Sequence, residues 1–132
     1  MVVKSLMRSK IEVMHTEDSQ LSAFCSVYQH TVELIGRRWT GAILRALLSG
    51  VSRFSDLSET VPGLSDRMLA ERLKELEAAG IVNRKVIPET PVRVEYTLTD
   101  KGRGLHTVIQ AVAAWAERWE EKAAAEPATT TA

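Results

Sequence analysis

The sequence predicts a mainly α-helical fold carrying one small β-hairpin, and three observations predict it. Apolar residues recur at helical spacing in successive segments from Val27 onward. The Pro62-Gly63 pair cuts that pattern with a tight turn. Beyond it, Val92-Arg93-Val94-Glu95-Tyr96-Thr97-Leu98 alternates apolar and polar residues, the period of a half-buried strand.

The first body helix is predicted over Val27 to Ile35, with Val27, Tyr28, Thr31, Val32 and Ile35 near helical spacing and Gly36 interrupting it. The second covers Trp39 to Leu48, with Trp39, Ile43, Ala46 and Leu47 on one stripe and Gly50 as its stop. A short third helix, about Phe54 to Thr60, is expected to bury Phe54, Leu57 and Val61. Ser65 then stands where a hydroxyl can accept a free N–H from the first turn of a fourth helix. That helix runs from about Asp66 to Ala79 and places Leu69, Leu73 and Leu76 on one buried face, with Gly80 as its left-handed exit.

The period then changes from helical to two-fold. Ile81 to Ile87 and Val92 to Leu98 read as the two arms of a hairpin, and Pro88-Glu89-Thr90-Pro91 suits its tip. Thr99 or Asp100 caps a last helix reaching about Lys122. Three helices followed by a hairpin make a winged helix-turn-helix, in which the helix before the hairpin enters the DNA major groove.

One domain over residues 21–122 is expected, preceded by an N-terminal extension (1–20) and followed by a disordered tail (123–132). The 45% hydrophobic content suffices for a core. No apolar run could cross a bilayer, and MVVKSLMRSK has no secretory character, so no membrane partner is expected. A single cysteine, Cys25, excludes an internal disulfide and fits a reducing compartment, so a cytoplasmic protein is predicted. Net charge is zero, yet residues 36–103 carry 12 Lys/Arg against 9 Asp/Glu while both ends are slightly acidic. That imbalance permits DNA binding without demanding it.

On the fourth helix, Ser65, Arg67, Met68, Glu71, Arg72 and Lys74 are the candidate DNA contacts, because the leucine face points away from them. Each would otherwise be an ordinary solvated position on an amphipathic helix; the turn before and the hairpin after favour DNA. Arg84, Lys85 and Arg93 flank the wing tip, and Arg53 starts the third helix, where all four could hold phosphates. The competing role for the wing cations is a charge pair with Glu89 or Glu95.

Leu105, Val108, Ile109, Val112, Trp115 and Trp119 recur at offsets of three and four along the last helix, further than a small domain core would cover. They are expected to form a homodimer interface, and two recognition helices would then read a palindromic double-stranded operator. Cys25 precedes the first helix, whose positive end favours a reactive thiolate; the alternative is a small apolar residue packed beside Phe24 and Tyr28. His15, His30 and His106 share no ligand spacing, so neither a metal nor a cofactor is expected. No phosphate-cradling loop, nucleophile elbow or paired-carboxylate motif is present, so an enzyme is not expected.

From Cys25 to about Trp119 the chain resembles the HxlR-type winged-helix regulators of bacteria, relatives of the MarR-like group. The resemblance rests on Ile35-Gly36-Arg37-Arg38-Trp39, Arg53-Phe54-Ser55-Asp56-Leu57, Pro62-Gly63-Leu64-Ser65 and Met68-Leu69. It continues through Arg72-Leu73-Lys74-Glu75-Leu76-Glu77 with Gly80, and Arg93-Val94-Glu95-Tyr96-Thr97-Leu98-Thr99 with Gly102. It implies a homodimer joined through its terminal helices, binding operator DNA often near its own gene. In several members the cysteine at the Cys25 position senses electrophiles or oxidants. Ser26 replaces the proline usual after that cysteine, and Arg37 the second glycine of the IGGKW motif. The expected function is a sequence-specific transcriptional regulator, a repressor by family habit. It would be released by thiol chemistry at Cys25 or by a small-molecule inducer at the dimer interface. The alternative is a winged-helix protein–protein module without DNA affinity.

Overall fold

The computed structural model describes residues 22–125, with side chains through residue 120. The expected extension over 1–20 and the last seven residues of the expected tail lie outside the described residues. The chain divides after Gly36 into two compact units.

The first unit contains α1 (Ser26–Ile35). Cys25 is its N-cap in extended backbone, and the Cys25 carbonyl accepts the Gln29 N–H at 2.9 Å. Gly36 closes it, its N–H donating to the Val32 carbonyl at 2.8 Å; a Cβ there would stand 2.6 Å from that oxygen, so the position has room only for glycine. No residue of α1 is buried. Phe24, Tyr28 and Val32 are exposed at four-residue intervals.

The second unit runs through α2 (Thr40–Leu48), α3 (Phe54–Thr60) and α4 (Asp66–Ala78), then β1 (Val82–Ile87) and β2 (Arg93–Leu98), then α5 (Asp100–Arg103) and α6 (His106–Ala125). Its core gathers Ile43 and Leu44 of α2, Leu57 of α3, the α4 triplet Leu69, Leu73 and Leu76, and Val82 of β1. Each such side chain contributes about 1.5–3 kcal/mol by leaving water. The strands pair antiparallel from Val82 with Leu98 to Ile87 with Arg93. Arg53 adds an antiparallel bridge to Glu95, and the Tyr96 N–H donates to the Ser52 carbonyl at 2.8 Å, so the segment before α3 extends the hairpin by one short backbone pairing.

Three expectations change. Trp39 is not the first residue of α2 but its N-cap, in the left-handed region at φ 78°. Packing holds it there: the Arg38 guanidinium lies 5.1 Å from the ring centroid, and the ring edge reaches the Gly63 turn, where an added Cβ would be 3.4 Å away. Phe54 is only half-buried. The last helix is broken at Gly104-Leu105 into α5 and α6, and α6 extends to Ala125. Gly102 is pressed onto the Ile81 carbonyl, while Thr99 caps α5 by accepting the Gly102 N–H at 3.0 Å.

Candidate nucleic-acid interface

The recognition element begins at a turn that only glycine suits, Gly63 at φ 84°. Ser65 follows and caps α4, its Oγ accepting the Met68 N–H at 3.1 Å. Ser58 of α3 donates to the Asp66 carboxylate at 2.6 Å, which fixes α3 against the first turn of α4. With its leucine face buried, α4 presents Arg67 and Glu71 outward, and the Arg67 side chain is 91% exposed. Their ion pair at 3.8 Å is loose, worth a few tenths of a kcal/mol at about the i,i+4 surface value, and leaves the guanidinium available. Met68 is half-buried beside them, and Lys74 is exposed one turn further on.

Arg72 does not belong to this surface. Its side chain is 9% exposed; Nε donates to the Arg38 carbonyl at 2.9 Å and a terminal nitrogen to Glu75 at 3.0 Å. Arg72 falls three residues after Leu69 and four before Leu76, the spacing of the buried face, and that spacing was the available signal. A guanidinium is tolerated there because its donors are satisfied.

On the hairpin, Arg84 and Lys85 are exposed, opposite Tyr96 and Glu95 respectively. Arg93 is half-buried between two carboxylates, 3.3 Å from Glu89 and 3.0 Å from Glu95. The second contact is close but lies off the N–H axis, so it is an ion pair and not a hydrogen bond. The charge pairs weighed for the wing are therefore present at Arg93. Arg53, exposed at the N-cap of α3, faces the same side: Arg53, Lys74, Arg84 and Arg93 line one groove between α4 and the hairpin. The convergence of Arg53 depends on its bridge to Glu95, a long-range pairing that local periodicity does not reveal.

Along α6 the expected interface residues divide into two sets. Leu105, just before the helix, and Ile109 are half-buried, whereas Val108, Val112, Trp115 and Trp119 are exposed. The outer set occupies one stripe at offsets of four, three and four. Cys25 is half-buried. Among the described residues no cluster of His, Cys, Asp and Glu could hold a metal, and no helix is long and apolar enough to cross a membrane.

With this geometry in place, comparison with known proteins is specific. Residues 34–124 match the family described as HxlR-like helix-turn-helix. The HTH-type transcriptional regulator YvaP of Bacillus subtilis is 47% identical over 98 residues, covering 74% of this chain and 91% of YvaP. The HTH-type transcriptional regulator YodB of the same organism is 48% identical over 100 residues, covering 76% and 89%. The reduced form of YodB superposes with a TM-score of 0.64 at 49% identity, covering 73% of this chain and 94% of YodB. Its diamide-treated form gives a TM-score of 0.62 at 48% identity, with 74% and 97% covered.

Proposed function

The chain belongs to the HxlR-like helix-turn-helix family of transcriptional regulators, and on that premise we propose how it reads DNA and how it is released. It acts in the cytoplasm as a homodimer joined through the outer stripe of α6, and residues 21–122 form the working domain. Two copies of α4 enter successive major grooves of a palindromic operator. Arg67 and Glu71 face base edges, Ser65 and Met68 sit at the groove floor, and Lys74, Arg53, Arg84 and Lys85 hold phosphates. Arg93, already paired with Glu89 and Glu95, orders the wing and contributes little net charge. No catalytic activity is proposed.

The observation that carries this reading is the outward face of α4: a 91% exposed, only loosely paired arginine in its first turn, on a helix anchored from behind by three fully buried leucines. The chain represses, and modification of Cys25 at the head of α1 releases the operator. The diamide-treated state of a relative 48% identical supports that thiol route. Lacking a second cysteine, the chain can form no internal disulfide, and oxidation of Cys25 leads through a sulfenic acid to a mixed disulfide or a bridge between subunits.

The test is a titration of the protein against the DNA upstream of its own gene, at several salt concentrations, with and without diamide. Tight binding that weakens steeply with salt and is lost on oxidation supports the whole reading, since phosphate contacts release counterions. Release that persists in Cys25→Ser removes the redox role. Failure to select any sequence from a random pool would replace the regulator by a protein–protein module.

A further inference from the structure

The chain carries no net charge, and two carboxylates stand in the first two turns of α4, beside the arginine assigned above to base edges. Asp66 accepts a hydrogen bond from Ser58 at 2.6 Å. Glu71 is held less firmly. Its side chain is 52% exposed, on the same face as Arg67, and the Arg67 guanidinium lies 3.8 Å away, beyond hydrogen-bond reach. Other carboxylates of this region are tied closely, Glu75 to Arg72 at 3.0 Å and Glu95 to Arg93 at 3.0 Å. A free carboxylate on the DNA-facing side of α4 repels every phosphate it approaches. Its effect on binding then depends on the base it meets.

In the major groove guanine offers two acceptors, N7 and O6, and thymine offers O4; a carboxylate is repelled by all three. Adenine sets its N6 donor beside the N7 acceptor, so attraction and repulsion oppose each other. Cytosine presents the N4 donor with no acceptor of its own, and it is the base that suits a glutamate. Spacing says where this cytosine lies. Residues four apart on one helix face are separated by about 6 Å along the axis, less than two base-pair steps of roughly 3.4 Å. The charged groups themselves stand 3.8 Å apart, close to a single step.

We propose that Glu71 is a specificity residue that admits cytosine and rejects the other bases. Each operator half-site then holds a guanine under Arg67 and a cytosine under Glu71, no more than one base-pair step apart. This rests on the DNA reading above. Because the two side chains cancel in charge, the pair adds no net attraction to phosphates, and what it contributes is discrimination between sequences.

The full-length protein and its Glu71→Ala, Glu71→Gln and Arg67→Ala variants are each used to select duplexes from a random pool. Kd is then measured on the parent's selected duplex and on scrambled DNA. The parent should require a cytosine within one step of a guanine that Arg67→Ala no longer requires. Glu71→Ala should keep that guanine, accept all four bases at the cytosine position and bind scrambled DNA more tightly than the parent. Its ratio of cognate to scrambled affinity should fall by about tenfold or more. Glu71→Gln should shift the preference to adenine, whose N6 and N7 match the acceptor and donor of an amide. A carboxylate that only adjusts local charge would not produce that shift. Unchanged base preference in both Glu71 variants overturns the proposal and leaves the regulator reading intact. Loss of the guanine requirement in Glu71→Ala overturns it too, because Glu71 would then act only by holding Arg67. A parent protein that selects no sequence removes the regulator reading and this proposal together.

Discussion

Arg72 Nε donates to the Arg38 carbonyl oxygen at 2.9 Å, tying the middle of α4 to the corner ahead of α2. Glu75 strengthens the tie by pairing with Arg72 at 3.0 Å and with Arg37 at 3.4 Å. Trp39, whose backbone is left-handed, extends its ring to the Gly63 turn from which α4 starts. The recognition helix is therefore fixed from behind at two places, its preceding turn and its middle.

Arg72→Met should accordingly destabilise the protein without altering base preference. The substitution keeps aliphatic bulk but strands the Arg38 carbonyl and loosens Glu75, at a cost of about 1–3 kcal/mol. Urea unfolding measures the loss. Binding to cognate and scrambled DNA, corrected for the folded fraction, should keep its ratio; a collapsed ratio would mean that Arg72 reaches the bases.

Arg67 and Lys74 should separate by what they read. Arg67→Ala removes a base contact, so cognate affinity should fall by about 1–3 kcal/mol while scrambled DNA is affected less. Lys74→Ala removes a phosphate contact, weakening both DNAs alike and lowering the salt slope by about 1 per site. Matched salt titrations on the two duplexes check the assignment. Identical behaviour of the two variants would argue against distinct roles.

The elements that local spacing controls were legible in advance. Leu69, Leu73 and Leu76 form the buried face of α4, Ser65 caps it, and the 92–98 alternation forms β2. What escaped depends on contacts between distant residues. Arg72 sits at buried-face spacing, but what makes a guanidinium acceptable there is the Arg38 carbonyl, 34 positions earlier, which no local pattern reveals. Trp39 fits a helical stripe, but ring packing against the Gly63 turn overrides that preference. The groove cations come from the N-cap of α3, from α4 and from both strands, and no single segment of sequence displays them together.

Gly102 lets α5 lie directly against the Ile81 backbone, and it yields a stability prediction. A Cβ at this position would sit inside the contact distance of the Ile81 carbonyl oxygen and 2.9 Å from Leu98 Cδ2. The neighbouring Thr99 cap also bonds the Gly80 carbonyl at 2.6 Å, so α5 cannot back away without losing it. Gly102→Ala should therefore cost about 1–3 kcal/mol through overpacking, the reverse of the usual gain when a helical glycine becomes alanine. Thermal unfolding of the variant decides the sign.

The outer stripe of α6 supplies the assembly prediction. Trp115 and Trp119 remain 58% and 55% exposed, and Val112 beside them is equally open. Arg118 lies 5.0 Å from the Trp119 ring centroid, which orients that ring without burying it. Such a row in water is unfavourable, and pairing with its own symmetry copy covers both rows at once, as a two-fold interface requires. Replacing both tryptophans with glutamate places like charges face to face, so the doubly substituted protein should sediment as a monomer at micromolar concentration while retaining its helix content. Operator affinity should then fall by on the order of 10²–10⁴, because the second half-site no longer binds at the effective concentration of a tethered partner. A double variant that still sediments as a dimer would move the interface elsewhere, and a monomeric parent protein would remove the palindrome from the proposed mechanism.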